Sequence, residues 1–288
     1  MRSILFSLLL ISASVHCIGQ RGEAYKLYSS KGKELSFDKL VEEVSKSDVI
    51  CFGEYHNNPI AHWLQLELTK AVAEERDVIL GAEMFETDDQ LVLNEYLAGR
   101  IKEDHLKSDA KLWPNYKTDY RPLVEWAKEE QVPFIATNTP RRYASLVSKE
   151  GMAGLDQLDE EAKVLLPELP FTVRENDRGY DEMVEMMGGG HGHGMNMDNM
   201  IAAQALKDYT MASNIMKHRK EESVFIHYNG SFHSQYRDGM AGYLRDMDPK
   251  LELSVISSVS ADDLSFSEEW KELGDFILVT PTSMTKTH

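Results

Sequence analysis

Cysteine is scarce in this chain of 288 residues, which contains only Cys17 and Cys51. Cys17 lies in an N-terminal segment with the pattern of a cleaved leader, so its removal leaves no second thiol for an intramolecular disulfide. Cys51 stands in an apolar run, where a free cysteine usually behaves as a small core residue. The fold therefore needs a large hydrophobic core, which a content of 42% hydrophobic residues can supply.

Positive charge is also in short supply. The chain has 31 lysines and arginines against 48 acidic residues, which gives a formal net charge of −17. Nucleic-acid binders need a basic footprint, and electrostatic docking on anionic lipid needs a basic surface. The composition therefore argues against both kinds of partner.

The N-terminal apolar run, Ile4–Ile11, is too short for a bilayer, which takes about 20 helical residues. It follows Arg2 and precedes polar residues, the pattern of a signal peptide, and a small residue before Gln20 suits cleavage there. We therefore predict a signal peptide over 1–19 and export to the periplasm or cell envelope. Lipid attachment at Cys17 is the alternative, although the bulky His16 stands where such sites have a small residue.

Short apolar runs alternate with amphipathic segments along the rest of the chain. The runs predicted as buried strands are 48–52, 78–80, 132–136, 224–228, 251–259 and 276–279. Segments 60–75 and 121–130 have helical periodicity between them. This alternation predicts an α/β fold with a mostly parallel sheet flanked by helices. We expect one domain over 20–288, with a helical cap or insertion at approximately 150–220.

Polar residues follow several of these strands. Two strands exit into G-x-x-H motifs that end in His56 and His233, and a third exits into Glu83 and Glu86. A fourth strand exits into residues that include Asn138, Arg141 and Arg142. Ligands of open α/β sheets bind beyond the carboxyl ends of the strands. One strand-end histidine is more often structural, but four polar ends together indicate a functional site suited to a metal or to general acid–base chemistry.

These motifs resemble those of the ChaN-like haem-binding uptake proteins, which belong with the Tiki and erythromycin-esterase-like proteins. The matching stretches run in order over Asp48 to Leu244 and are Gly53–Pro59 with Gln65, Gly81–Glu86, Asp119–Leu123, Pro133–Arg141, Ala203–Ala212 and Gly230–His233. The resemblance implies an α/β domain with a smaller helical part. It also implies an exported protein of haem or iron acquisition that holds stacked haems at a homodimer interface, with an outer-membrane haem receptor as a further partner.

The same resemblance implies roles for individual residues. Within the wider superfamily the G-x-x-H motifs and their glutamates look like metal or catalytic positions, and here these are Glu54, His56, Glu83 and His233. Tyrosine and histidine are both known axial ligands of haem iron. The candidates for haem contacts are Tyr55, His56, Tyr120, His191, His193 and His233, with Arg141 and Arg142 for the propionates.

The stretch Met183–Met200, MVEMMGGGHGHGMNMDNM, is unusually rich in methionine and glycine and contains His191 and His193. The glycines around both histidines argue against a preformed tetrahedral metal site. Thioethers suit Cu(I), and they also pack well against a flat aromatic ring. We favour a lid over haem; a copper tract and a disordered loop remain as alternatives. Met183, Met186 and Met187 have helical spacing and also suit a core-facing stripe.

Two functions therefore remain open at the level of sequence. The first is a haem-binding protein of iron uptake, which holds the haem under the lid and need not catalyse a reaction. The second is a metal-dependent hydrolase, esterase or peptidase-like, in which a divalent transition metal lowers the pKa of a bound water and a strand-end carboxylate takes its proton. Both hypotheses use the same strand-end residues.

Overall fold

The computed structural model describes residues 22–175, 177–186 and 196–288. The predicted signal peptide and the histidines at positions 191 and 193 lie outside these ranges. The predictions made for them are therefore carried forward as predictions.

An eight-stranded sheet forms the centre of the described chain. Its strands are β1 (Lys26–Ser29), β2 (Glu34–Leu35), β3 (Val49–Glu54), β4 (Val78–Glu86), β5 (Phe134–Asn138), β6 (Val224–Gly230), β7 (Leu253–Ala261) and β8 (Phe276–Pro281). The order across the sheet is β2-β1-β8-β7-β3-β6-β4-β5. The pairings from β8 to β5 are all parallel, whereas β1 pairs antiparallel with β8 and β2. The predicted α/β class is confirmed.

Helices cover the sheet on both sides. They are α1 (Phe37–Val44), α2 (Pro59–Glu75), α3 (Gln90–Leu97), α4 (Glu103–Asp109), α5 (Arg121–Glu129), α6 (Arg141–Glu150), α7 (Glu160–Lys163), α8 (Arg178–Met186), α9 (Met197–His218) and α10 (Gly239–Met247). In the described residues between β5 and β6, the regular elements are all helical. No helix in the described ranges is long and apolar enough to span a bilayer.

The hydrophobic core has a layer on each face of the sheet. One layer contains Leu64 and Leu68 of α2 together with Val124 of α5. The other contains Met211 of α9 and Leu244 of α10, and it also includes the buried free thiol of Cys51. Because both faces are covered, β3, β4, β5 and β6 are buried along their whole length, which explains their continuous apolar runs.

Local sequence signals explain where several elements begin and end. Asn58 caps α2 by accepting the N–H groups of Ile60 and Ala61, and Pro59 occupies the first turn, where no backbone N–H is needed. Strands β1 and β2 have no counterpart in the sequence predictions, because four and two residues are too few to show a period. Met186 at the end of α8 is 74% exposed, so it does not belong to a core-facing stripe.

Parallel strands leave their carboxyl ends on one edge of the sheet. Strands β3, β6, β4 and β5 are direct neighbours in that order. The segments that follow them therefore meet in one region, which brings together the motifs at the predicted strand exits.

Gly81 in β4 tests how tightly this centre is packed. A Cβ atom at this position would lie 2.6 Å from the Phe225 ring and 3.0 Å from the Thr137 methyl group. We expect Gly81→Ala to lower the free energy of unfolding by about 1–3 kcal/mol, because overpacking a rigid core forces its neighbours to shift. Urea unfolding followed by circular dichroism measures this loss.

Phe225→Leu supplies the matched control, because it removes the ring that the new methyl group would meet. The double variant Gly81→Ala/Phe225→Leu should lose less stability than the sum of the two single losses. Additive losses would show that the ring contact does not explain the need for glycine at position 81.

Candidate functional site

The four carboxylate and imidazole residues that the sequence singled out come together beyond the carboxyl ends of the strands. Glu54 is in register with Gly230 of the neighbouring strand β6. The charges of Glu83 and His233 both act on His56 and affect its pKa, Glu83 raising it and His233 lowering it. The structure therefore gathers these side chains in one site, in which they form two carboxylate–imidazole groups.

The first group is built around the carboxylate of Glu54, which is buried. Its Oε1 accepts hydrogen bonds from the Tyr120 hydroxyl at 2.8 Å and from the His56 Nδ1 at 2.9 Å. Its Oε2 accepts from the Gln65 amide at 2.5 Å and lies 3.4 Å from the Nδ1 of His62. Both carboxylate oxygens are therefore fully engaged inside the fold.

His62 of α2 is the charge partner of Glu54, and sequence reasoning did not find it. Its Nε2 lies 3.1 Å from the backbone oxygen of His56 and 3.5 Å from Asp119. Burial alone would lower the pKa of His62, but the charge and hydrogen bond of Glu54 outweigh it and raise the pKa to about 9. The available signal was a pair of polar residues, His62 and Gln65, on the buried face of α2.

The same pairing controls the ionisation of Glu54. Burial would raise the pKa of this carboxyl group, but the charge of His62 and the hydrogen bonds from His56 and His62 lower it to about 2. Glu54 is therefore a carboxylate at any physiological pH. Its negative charge is available to orient His56.

His56 is the exposed member of this group, with 34% of its side chain accessible. Its Nδ1 faces Glu54, and among the described residues its Nε2 has no hydrogen-bond partner. The ring packs edge-on against Trp113, with the two centroids 4.8 Å apart. A Cβ atom at Gly230 would lie 2.8 Å from Nε2, so glycine keeps the space beside this nitrogen open. As expected from their spacing, Glu54 and His56 point to the same side.

The second group is centred on His233, and both of its ring nitrogens are engaged. Nε2 lies 3.1 Å from the Glu83 carboxylate, and Nδ1 lies 2.5 Å from Asp208 of α9. Burial would lower the pKa of His233, but the charges of Glu83 and Asp208 raise it to about 10. Glu83 also accepts the backbone N–H of Gly230 at 2.7 Å. As placed, this imidazole is a buried cation that positions Glu83, and it has no free nitrogen.

Asp208 was also missed in the sequence, although it lies in the matching stretch Ala203–Ala212. A carboxylate in the middle of a buried helix face is the signal that could have found it. Tyr120 was a candidate haem ligand, but its hydroxyl is buried and donates to Glu54. Burial and the Glu54 charge raise the pKa of Tyr120, which disfavours the phenolate form that binds iron. Tyr55 is 40% exposed beside the site.

A cleft of about 410 Å³ opens next to these groups. It is lined by Glu83, Glu86, Trp113, Asn138, Thr139, Arg141, Ala144, Ser145, Ser148, Met183, Met200, Ala203, Gln204 and Lys207. Its walls therefore combine strand-end polar groups with an indole ring and thioethers from helices α8 and α9. The methionines at the two ends of the predicted lid, Met183 and Met200, both line it.

Two cations on the cleft wall have no carboxylate partner among the described residues. Arg141 is exposed and forms no ion pair there, and Lys207 donates only to the Gln204 amide oxygen at 3.3 Å. Arg142, the other arginine considered for propionates, pairs with Asp88 and lies over the Tyr143 ring. The anion-binding capacity of the cleft therefore rests on Arg141 and Lys207. The sequence had indicated Arg141 together with Arg142, and it had not indicated Lys207.

The geometry gives no support to a cluster of metal ligands. Over the described ranges, no group of three or more histidine, cysteine, aspartate or glutamate side chains could hold a metal ion. Both ring nitrogens of His233 are already bonded to carboxylates, Glu83 and Asp208. Both carboxylate oxygens of Glu54 already accept hydrogen bonds, including those from Gln65 and Tyr120. The Nε2 of His56 has no hydrogen-bond partner among the described residues, so it can coordinate one iron atom or accept one proton.

The Glu54–His62 pair predicts how stability depends on pH. The depressed pKa of Glu54 stabilises the fold above its unfolded value of 4.5, and this contribution is lost as the pH falls towards about 2. The raised pKa of His62 stabilises the fold below its unfolded value of 6.5, and this contribution is lost as the pH rises through about 9. Both contributions are complete between the two unfolded values.

We expect His62→Gln to reduce the alkaline loss of stability by on the order of 1–3 kcal/mol, because glutamine does not titrate. Urea unfolding across a pH series measures this loss. His105→Gln, at an exposed histidine of α4, is the matched control and should leave the pH profile unchanged. An alkaline loss in His62→Gln equal to that of the parent chain would contradict the assigned pairing.

Solved structures share this architecture. The ChaN protein of Campylobacter jejuni, solved with cofacially bound haem, superposes with a TM-score of 0.68 at 16% identity, covering 90% of this chain and 98% of that one. A variant of the erythromycin esterase EreC in its open conformation superposes with a TM-score of 0.50 at 10% identity, covering 90% and 98%. At these identities the likeness shows a shared fold.

A curated plant protein also matches in sequence. It is the chloroplastic protein RETICULATA-RELATED 5 of Arabidopsis thaliana, 28% identical over 137 residues. The match covers 45% of this chain but only 18% of that protein. It therefore relates one segment of a much longer chain to this one.

The match to a family model is more extensive. Residues 40–244 match the model of the haem-binding uptake proteins of the Tiki superfamily, ChaN. This range exceeds half of the 288 residues and contains both carboxylate–imidazole groups and most of the cleft. The chain belongs to the ChaN family of haem-binding uptake proteins within the Tiki superfamily.

Proposed function

We propose that this protein binds haem in the cleft beyond the carboxyl ends of β3, β6, β4 and β5, as an exported component of haem or iron acquisition. The observation that carries the proposal is the Nε2 of His56, which has no hydrogen-bond partner among the described residues. The His56 ring packs on Trp113, which lines a cleft that also contains Arg141 and Lys207. Imidazole is the commonest axial ligand of haem iron. Membership of a haem-binding family supports the same ligand.

The residues of the cleft suit the chemistry of haem. Trp113, Met183 and Met200 offer an indole ring and thioethers, which pack favourably against the face of an aromatic macrocycle. Arg141 and Lys207 offer charged donors for carboxylate groups such as propionates. When bound, haem would supply an iron atom that a neutral imidazole can coordinate. The contribution of this chain is to orient His56 through Glu54 and to present the apolar and cationic walls.

We propose that His56 would hold the haem iron and that the Glu83–His233 pair would fix the backbone at Gly230 beside it. The tautomer follows from the pairing, because a proton on Nδ1 directed at Glu54 leaves a lone pair on Nε2. His191 and His193 retain their predicted place in a lid over the haem. The position of Met183 and Met200 on the cleft wall supports that placement.

The assembly follows from the relatives as a proposal. The Campylobacter jejuni ChaN protein binds haem cofacially. We propose that this chain likewise forms a homodimer with stacked haems at its interface and receives haem from an outer-membrane receptor. Export through the signal peptide over 1–19 places the protein in the periplasm or cell envelope, with acylation of Cys17 as the alternative.

A hydrolase is the second candidate, and one observation favours it. An imidazole whose Nδ1 is held by a buried carboxylate and whose Nε2 is open has the arrangement of a general base. The fold is shared with an erythromycin esterase. In this alternative His56 takes a proton from the attacking water and returns it to the leaving group. The metal-dependent form of this hypothesis gains no support from the described residues.

Titration of the mature chain with hemin, followed at the Soret band, tests the haem proposal. We expect a saturable shift in the parent chain and at least about tenfold weaker binding in His56→Ala, because the variant lacks the iron ligand. Gly230→Ala is expected to weaken binding as well, since its methyl carbon would lie 2.8 Å from Nε2 while the imidazole remains. Size-exclusion chromatography before and after addition reports the predicted dimer.

His105→Ala, on an exposed face of α4, is the control for nonspecific attachment of hemin to histidine. The double variant His191→Ala/His193→Ala should weaken hemin binding, and unchanged binding would remove the lid assignment. Equal affinity of His56→Ala and the parent chain would remove His56 as ligand. No saturable shift in the parent chain would reject haem and leave esterase and peptidase assays, with His56→Ala as the inactive variant, as the next test.

A further inference from the structure

The strand side of the cleft contains buried oxygen atoms that have no hydrogen-bond partner among the described residues. The hydroxyl of Thr139, which is 2% exposed, has no hydrogen bond within the described part of the chain. The same is true of the Asn138 amide oxygen and of one carboxylate oxygen of Glu86, and both residues are 8% exposed. All three residues line the cleft. Buried oxygens without partners are costly, so a native fold usually gives them a hydrogen-bond partner or a ligand.

These oxygens are held in place by the surrounding structure. Asn138 donates its amide N–H to the backbone oxygen of Glu83 at 3.0 Å, which fixes the direction of its amide oxygen. Glu86 is the register partner of Asn138 across β4 and β5, and it accepts the backbone N–H of Arg141. Thr139 follows Asn138 directly at the end of β5. Asn138 and Glu86 are therefore held in place by hydrogen bonds to the backbone.

The charges around this group select the kind of donor that it suits. Lys111 already lies 3.6 Å from the unpartnered oxygen of Glu86 and also pairs with Asp88, so a second ammonium group is not needed there. Hydroxyl groups donate without adding charge, and they can also accept from Thr139. The same cleft is also lined by Arg141, at the start of α6, and by Lys207 of α9, and both side chains can bind an anion.

We propose that the cleft contains a subsite for a small hydroxylated organic acid. Its hydroxyl groups bind Glu86, Asn138 and Thr139, and its acid group binds Arg141 and Lys207. Haem carries carboxylates but no hydroxyl donors, so this ligand class goes beyond the haem-binding function and does not depend on it.

Isothermal titration calorimetry of the haem-free mature chain with three probes tests the subsite. Gluconate carries hydroxyls and an acid, hexanoate carries the acid alone, and sorbitol carries the hydroxyls alone. Gluconate should bind at least about tenfold more tightly than either of the others, because only it carries both the hydroxyl groups and the acid group that the subsite binds. Equal binding of gluconate and hexanoate, or no binding of gluconate, would overturn the proposal.

Thr139→Val removes the hydroxyl with little change in shape, and Thr139→Ser restores it. We expect Thr139→Val to bind gluconate about five- to tenfold more weakly, with hexanoate unchanged and with affinity recovered in Thr139→Ser. A thermal melt matching the parent chain shows that the variant is folded. Gluconate affinity unchanged in Thr139→Val would overturn the assignment. Hemin titration of the same variant separates the two functions. If Thr139→Val loses gluconate binding but still binds hemin, the substitution affects only this subsite.

Discussion

A buried carboxylate needs several partners before it can remain charged inside a protein, and Glu54 at the end of β3 has four. His62 supplies charge, Gln65 and Tyr120 supply hydrogen bonds, and His56 supplies the link to the cleft. The partners come from α2 and from the residues before α5, so this carboxylate ties both helical regions to the sheet. The orientation of His56 depends on this arrangement, and so do the haem-binding and hydrolase functions proposed for the site.

The second group shows a different use of the same chemistry. His233 lies between Glu83 and Asp208 with both nitrogens occupied, so it joins β4, α9 and the turn after β6. Two G-x-x-H motifs that look equivalent in sequence thus have different physical roles. His56 keeps one ring nitrogen without a partner among the described residues, whereas His233 is a buried cation between two carboxylates. This difference explains why the described residues contain an open imidazole beside the cleft but no cluster of metal ligands.

The parallel sheet and the meeting of its strand ends could be predicted, because continuous apolar runs and glycine-histidine exits are local signals. Glu54 and His56 lie in one such exit motif, so their placement in one site could also be predicted. His62 and Asp208 were not found, because a buried polar residue on a helix face acquires its meaning only from a distant partner. Arg141 and Arg142 could not be told apart for the same reason. In the structure Arg142 pairs with Asp88, whereas Arg141 forms no ion pair with the described residues.

The central claim is that Glu54 holds the proton of neutral His56 on Nδ1 and leaves a lone pair on Nε2. Two-bond proton–nitrogen correlation spectra of the chain labelled with ¹⁵N-histidine test this directly, with His56 assigned by comparison with His56→Ala. On the alkaline side of its titration, His56 should show the Nδ1–H tautomer in the parent chain and lose that preference in Glu54→Gln. An Nε2–H tautomer in the parent chain would contradict the account, because Nε2 would then be a donor with no lone pair for iron or for a proton.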